Sequence, residues 1–114
     1  MQTTLKNSIN LVGTGLHSGK PAHLRILPAS AEYGIWFRRM DVFDRDNLIA
    51  ARFDNVDDTT LCTRIANDAG VAVSTIEHLM AAFMGCGIHN ALVEIDGPEV
   101  PIMDGSAGPF VFLL

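Results

Sequence analysis

Ser74-Thr-Ile-Glu-His-Leu-Met-Ala-Ala-Phe-Met-Gly-Cys-Gly87, followed by Asn90-Ala-Leu-Val-Glu-Ile-Asp96, contains a switch from helical to extended patterning. Ile76, Leu79, Met80, Phe83 and Met84 fall at i, i+3, i+4, i+7 and i+8, the recurrence of an amphipathic helix. Ser74 with Glu77 three residues later reads as a capping box, in which each side chain serves the other residue's backbone N–H. Gly85 and Gly87 supply the stop signal. Beyond them Ala91, Val93 and Ile95 alternate with Leu92, Glu94 and Asp96, the two-residue period of a strand with one buried face.

Upstream of this helix–strand unit the patterning is extended. Leu5, Ile9 and Leu11 alternate loosely and lead into the glycine-rich turn Gly13-Thr-Gly-Leu-His-Ser-Gly19. Residues 23–27 read as a strand closed by Pro28, which has no N–H to donate to a ladder. Residues 34–38 form a short aromatic and β-branched strand, and 48–56 a further extended piece. Residues 59–66 and 71–73 flank Asn67-Asp-Ala-Gly70, the residues of a hairpin turn. Downstream, Asp96-Gly-Pro98 turns the chain, and a second helix is expected from near Ala107, with Asp104 or Ser106 as its cap. Strands first, then helix, strand and helix, predict an α+β fold: a two-layer sandwich of an antiparallel-rich sheet with two helices on one face.

The chain has 114 residues, the size of one domain, with 48% hydrophobic and 18% charged residues. That hydrophobicity excludes intrinsic disorder. Eight Lys and Arg against 13 Asp and Glu leave a net charge of −5, which argues against a nucleic-acid partner. Cys62 and Cys86 are too few for a disulfide framework and read as reduced thiols of a cytoplasmic protein. No signal peptide is visible, and no apolar run reaches the ~20 residues of an integral membrane segment. The C-terminal Phe110-Val-Phe-Leu-Leu114 is wholly apolar. It reads as a docked last element or as a cut inside a longer polypeptide.

Glu77-His78 is the first candidate for chemistry. With the apolar stripe centred near Ile76, His78 lies ~200° round the helix, away from the core. Two readings stay open: an exposed histidine beside a capping acid, or a catalytic pair. The turn around His17 is either a tight strand connection or a loop lying against a ligand. His23 and His89 have no partner in the pattern and read as structural, and Cys62 as a buried strand thiol. A catalytic zinc needs three protein ligands and a water. The residues by themselves present one persuasive histidine.

Three motifs in this order, Gly13-Thr-Gly-Leu-His-Ser-Gly19, Ser74-Thr-Ile-Glu-His-Leu79 and Pro101-Ile-Met-Asp-Gly-Ser-Ala107, together resemble the N-terminal half of the UDP-3-O-acyl-N-acetylglucosamine deacetylase family. Thr59-Thr-Leu-Cys-Thr63 fits the same pattern. The resemblance runs from about Thr4 to Leu114. It implies a zinc-dependent, cytoplasmic hydrolase of lipid A biosynthesis in Gram-negative bacteria, acting on UDP-3-O-acyl-N-acetylglucosamine. It implies two similar domains with the active site between them, so that residues 1–114 are the N-terminal domain and the C-terminal domain is a partner absent from this chain. His78 then matches a Zn2+ ligand and Glu77 the general base, while His17, Leu61 and Cys62 match the substrate-binding cleft. The other zinc ligands, on a His-x-x-x-Asp helix, the assisting acid and the acyl-chain pocket belong to the second domain. On this reading the fragment alone is inactive and the apolar terminus is a cut inside the second helix. The alternative is a non-catalytic binding module that kept the half-site surface.

Overall fold

The computed structural model describes residues 8–15, 21–52, 56–58 and 63–102. Strands β1 (Ile9–Gly15), β2 (Pro21–Pro28), β3 (Ile35–Arg39), β4 (Leu48–Ala50), β5 (Val56–Asp58), β6 (Arg64–Ala66) and β7 (Ala72–Ser74) precede helix α1 (Glu77–Gly85). Strands β8 (Ala91–Ile95) and β9 (Pro101–Ile102) follow it. The fold is α+β. Six strands form one sheet in the order β4-β3-β8-β2-β1-β9, and β5-β6-β7 form a smaller one. In the larger sheet β3 and β8 run parallel, and every other neighbouring pair is antiparallel.

Alternation along the strands specifies the register. Ile9 faces Ile26, Ile26 faces Val93, Val93 faces Phe37 and Phe37 faces Ile49, so one apolar row crosses five strands. Ile26, Phe37, Ile49 and Val93 of that row are buried. One residue along, Arg25 faces Glu94 and Glu94 faces Arg38 on the opposite side of the sheet. Those three form ion pairs at 3.8 and 3.7 Å. A slip of one residue would carry the charged row into the core and the apolar row into water, so this register is strongly enforced.

Helix α1 covers the apolar face. Leu79, Ala82 and Phe83 join the sheet residues, Ile65 and Val73 of the small sheet and Val71 of its hairpin loop in one cluster. Burying a side chain of this size contributes about 1.5–3 kcal/mol. The buried arc is not the one expected. Ala82 is fully buried and Met84 is 84% exposed, so the stripe turns by roughly 60° from Ile76 toward Ala82. His78 therefore sits on the flank of the helix and is half-buried, rather than opposite the core.

Of the hairpin expected from 59–66 and 71–73, residues 64–66 and 72–74 pair, with Gly70 at φ +80° in the turn, while 59–62 lie outside the described residues. The hairpin's anchor is Asn67. The side-chain amide donates to the carbonyls of Asp46 and Leu48 at 2.8 and 3.0 Å. Its oxygen accepts from the N–H groups of Ala69 and Val71, both at 3.0 Å. Arg39 ties the two sheets together by donating to the carbonyl of Ala72 at 3.0 Å. The same guanidinium grips Asp41 at 2.9 and 2.6 Å, and this hydrogen bond holds the Asp41 carboxyl below its usual value.

The capping box does not form. α1 begins at Glu77, its N-cap Ile76 is helical in backbone, and no side chain caps it. Ser74 is still in β7, and both its N–H and its hydroxyl donate to the carbonyl of Pro98, at 2.8 and 3.2 Å. It is spent on tertiary pairing before the helix starts. His23 and His89 are exposed. The second helix, with Asp104 or Ser106 as its cap, lies outside the described residues, as does Cys62. No helix among the described residues is long and apolar enough to cross a membrane.

Candidate functional site

The junction between β7 and α1 has only two residues, Thr75 and Ile76. So short a link needs a sharp reversal, and Thr75 supplies it with φ +61°. A β-branched residue in this left-handed region is a true outlier and costs of order 1–3 kcal/mol. Thr75 is 1% exposed, and its hydroxyl donates to the carboxylate of Glu99, 4% exposed, at 3.1 Å. The segment carrying Glu99 is itself fastened to the junction. Pro98 accepts two hydrogen bonds from Ser74, and the N–H of Val100 donates to the Ser74 carbonyl at 3.0 Å.

The reversal brings Glu77 and His78 onto the start of α1, beside the N-terminal end of β6. The backbone of Thr63 meets them twice. Its carbonyl accepts from the N–H of Ile76 at 3.4 Å. Its N–H donates to Oε2 of Glu77 at 3.1 Å. Glu77 thus points across to another element instead of back along its own chain. A carboxylate in the first turn is favoured by the helix dipole, and an N–H donor to a charged acceptor makes a strong bond. Glu77 and His78 are both half-buried.

The other expected site residues, His17, Leu61 and Cys62, lie outside the described residues. Thr63, which follows Cys62 directly in the chain, is the neighbour of Glu77 that patterning missed. Thr75 and Glu99 were missed too. A two-residue strand-to-helix link was a signal for a strained Thr75. Nothing near Glu99 in the sequence marks it as buried, because its partner is 24 residues away.

No group of three or more His, Cys, Asp or Glu side chains among the described residues could hold a metal ion. The local donors fit a single position of a zinc site, one imidazole at His78 with the Glu77 carboxylate adjacent. They do not fit a complete three-ligand cage.

Comparison with known proteins identifies the family. A family model described as LpxC, UDP-3-O-acyl N-acetylglycosamine deacetylase, matches residues 2–114. The chain is 56% identical over 113 residues to the UDP-3-O-acyl-N-acetylglucosamine deacetylase of Chromohalobacter salexigens, covering 99% of this chain and 37% of that protein. The enzyme of the same name from Methylococcus capsulatus is 54% identical, with 99% and 36% covered. That from Shewanella woodyi is 53% identical, with 99% and 37% covered. The chain thus spans just over a third of the length of these curated relatives. With the family model aligned to nearly every residue, this chain belongs to the UDP-3-O-acyl-N-acetylglucosamine deacetylase family.

Proposed function

We propose that residues 1–114 are the first of two domains of a zinc-dependent amidohydrolase that removes the acetyl group from UDP-3-O-acyl-N-acetylglucosamine in lipid A biosynthesis. The observation that carries this reading is the Glu77 carboxylate, half-buried and held by the Thr63 N–H at 3.1 Å, immediately beside His78. Family membership supports the reaction, and the coverage of just over a third of the relatives' length is consistent with a site completed by a second domain. His17, Leu61 and Cys62 are assigned to the substrate cleft on the same resemblance.

Zinc, when bound, supplies Lewis-acid polarisation of the acetamide carbonyl and of the attacking water. His78 would hold it. Glu77 takes the proton from the water as the C–O bond to the acetyl carbon forms. The Thr63 N–H occupies Oε2 and keeps the carboxylate aimed, which leaves Oε1 for the proton. As the C–N bond breaks, the leaving amine takes a proton from an acid in the second domain. Two adjacent residues can share this work because the helix turns only ~100° between them.

The test uses this chain alone and with the rest of a relative's sequence supplied as a second polypeptide. Alone, it should bind zinc no tighter than roughly micromolar by calorimetry and release no acetate. With the second polypeptide, deacetylation should appear. Glu77→Gln should then lower turnover by about 10²–10⁴-fold while leaving the melting temperature unchanged. A glutamine oxygen still accepts from Thr63 but is no base. Nanomolar zinc binding with hydrolysis by the chain alone would overturn the shared-site reading. Failure of complementation would instead favour a non-catalytic binding module.

A further inference from the structure

Glu99 is a buried carboxylate that the reaction above does not use. We propose that it is a positioning residue: by accepting the Thr75 hydroxyl it holds Thr75 left-handed, and through that turn it sets the aim of Glu77 and His78. The inference rests on the assignment of that pair as the reacting groups.

Three observations carry it. First, Thr75 stands at φ +61°, a conformation that a β-branched side chain avoids and that glycine or asparagine adopts without help. Strain of this kind persists only where the surroundings over-determine it. Second, the neighbouring segment supplies that restraint. Thr75 Oγ1 and Glu99 Oε2 are 3.1 Å apart, and both residues are almost wholly buried. Ser74, just before, is paired to Pro98 and Val100 on either side of Glu99. Third, Glu77 lies two residues beyond the turn and makes its hydrogen bond to Thr63 across a gap between elements. If Thr75 relaxed to an ordinary negative φ, the chain would enter α1 in another direction and that bond would be lost. A hydroxyl-to-carboxylate bond in the interior has no water to replace it, so its loss falls on the turn it restrains.

The Thr63 amide reports the aim of Glu77 directly. Its hydrogen-exchange rate, measured by NMR on this chain, should rise by about tenfold or more in Glu99→Ala, while the amides of Leu24 and Val93 in the sheet keep their protection. Glu99→Gln, which retains an acceptor oxygen, should stay within about threefold of the parent. Thr75→Gly placed in the Glu99→Ala background should restore slow exchange at Thr63, because glycine holds the turn unaided. Should Glu99→Ala fail to fold, Thr75→Val reads the same bond from the donor side and should accelerate Thr63 alike. An unchanged Thr63 rate in Thr75→Val and Glu99→Ala, or no rescue by Thr75→Gly, overturns the proposal. In the complemented enzyme the same variants should lower kcat more than they raise KM. Faster Thr63 exchange with unaltered kcat would mean that Glu99 sets the turn and that Glu77 and His78 are not the reacting pair.

Discussion

Across the middle of the large sheet, Ile26, Phe37, Ile49 and Val93 are buried against one another on the apolar face. At the start of α1 the deeply buried groups include Thr75 and Glu99, and the backbone between β7 and the helix is strained. The first region is built from non-directional burial, which tolerates neighbours of similar volume. The second is built from hydrogen bonds whose partners must be in place to the ångström. The sheet provides the stability that allows a costly turn to be kept, and the turn places the only Glu-His pair of the chain.

Changes to the sheet should therefore cost stability and leave the junction's chemistry to follow. Phe37→Ala empties the centre of the apolar row and should lower stability by about 3–5 kcal/mol, measured as a shift in the denaturation midpoint. A loss below about 1 kcal/mol would show that the row collapses around the gap and that sheet and junction do not differ in how they resist change.

A second variant acts where polar and apolar regions meet. Asn67→Ala removes four hydrogen bonds, two that tie the hairpin to the Asp46 and Leu48 carbonyls and two that close its own turn on Ala69 and Val71, and should cost about 1–3 kcal/mol. Exchange at Val71 should accelerate more than exchange at Val93. Equal acceleration at both would mean that the hairpin and the large sheet open as one unit.

The smallest effect is expected at Arg39–Asp41. The Asp41 carboxyl is held below its unfolded value, first by its hydrogen bond from Arg39. Its contribution is therefore fully present above the unfolded carboxyl range, about pH 4, and is lost as pH falls through the lower folded value. The pair is partly exposed, so Asp41→Asn should cost no more than about 1 kcal/mol at pH 7. The two proteins should converge in stability as the pH drops below the parent carboxyl's titration. A constant gap down to acid pH would show that the link between the sheets does not depend on this charge.

The longer strands were legible because a half-buried sheet writes its register into alternate residues, whereas the extended piece read at 48–56 is two short strands, β4 and β5, in different sheets. Leu24 and Ile26 alternate with His23 and Arg25, and Ala91, Val93 and Ile95 with Leu92 and Glu94. The helix was legible in its existence but less so in its facing. Met84 satisfies the helical period yet projects outward, because the buried arc of the helix is turned toward Ala82, which is too small to announce itself as core. The capping box failed for a related reason. Ser74 and Glu77 have the right spacing, but Pro98 and Thr63 compete for them from elsewhere in the chain. Spacing rules describe an isolated helix start, and this one is wedged between two strands.

Composition and pattern alone pointed to an α+β fold with a net charge of −5 and a Glu77-His78 pair at a helix start. Those properties are sums over residues or local periods, so they survive without knowledge of the fold. The tertiary structure decided which atoms restrain the pair: the Thr63 amide on Glu77, and Glu99 on the left-handed Thr75. A buried hydrogen bond is specified by where two distant segments meet, and neither segment carries a local sign of the other.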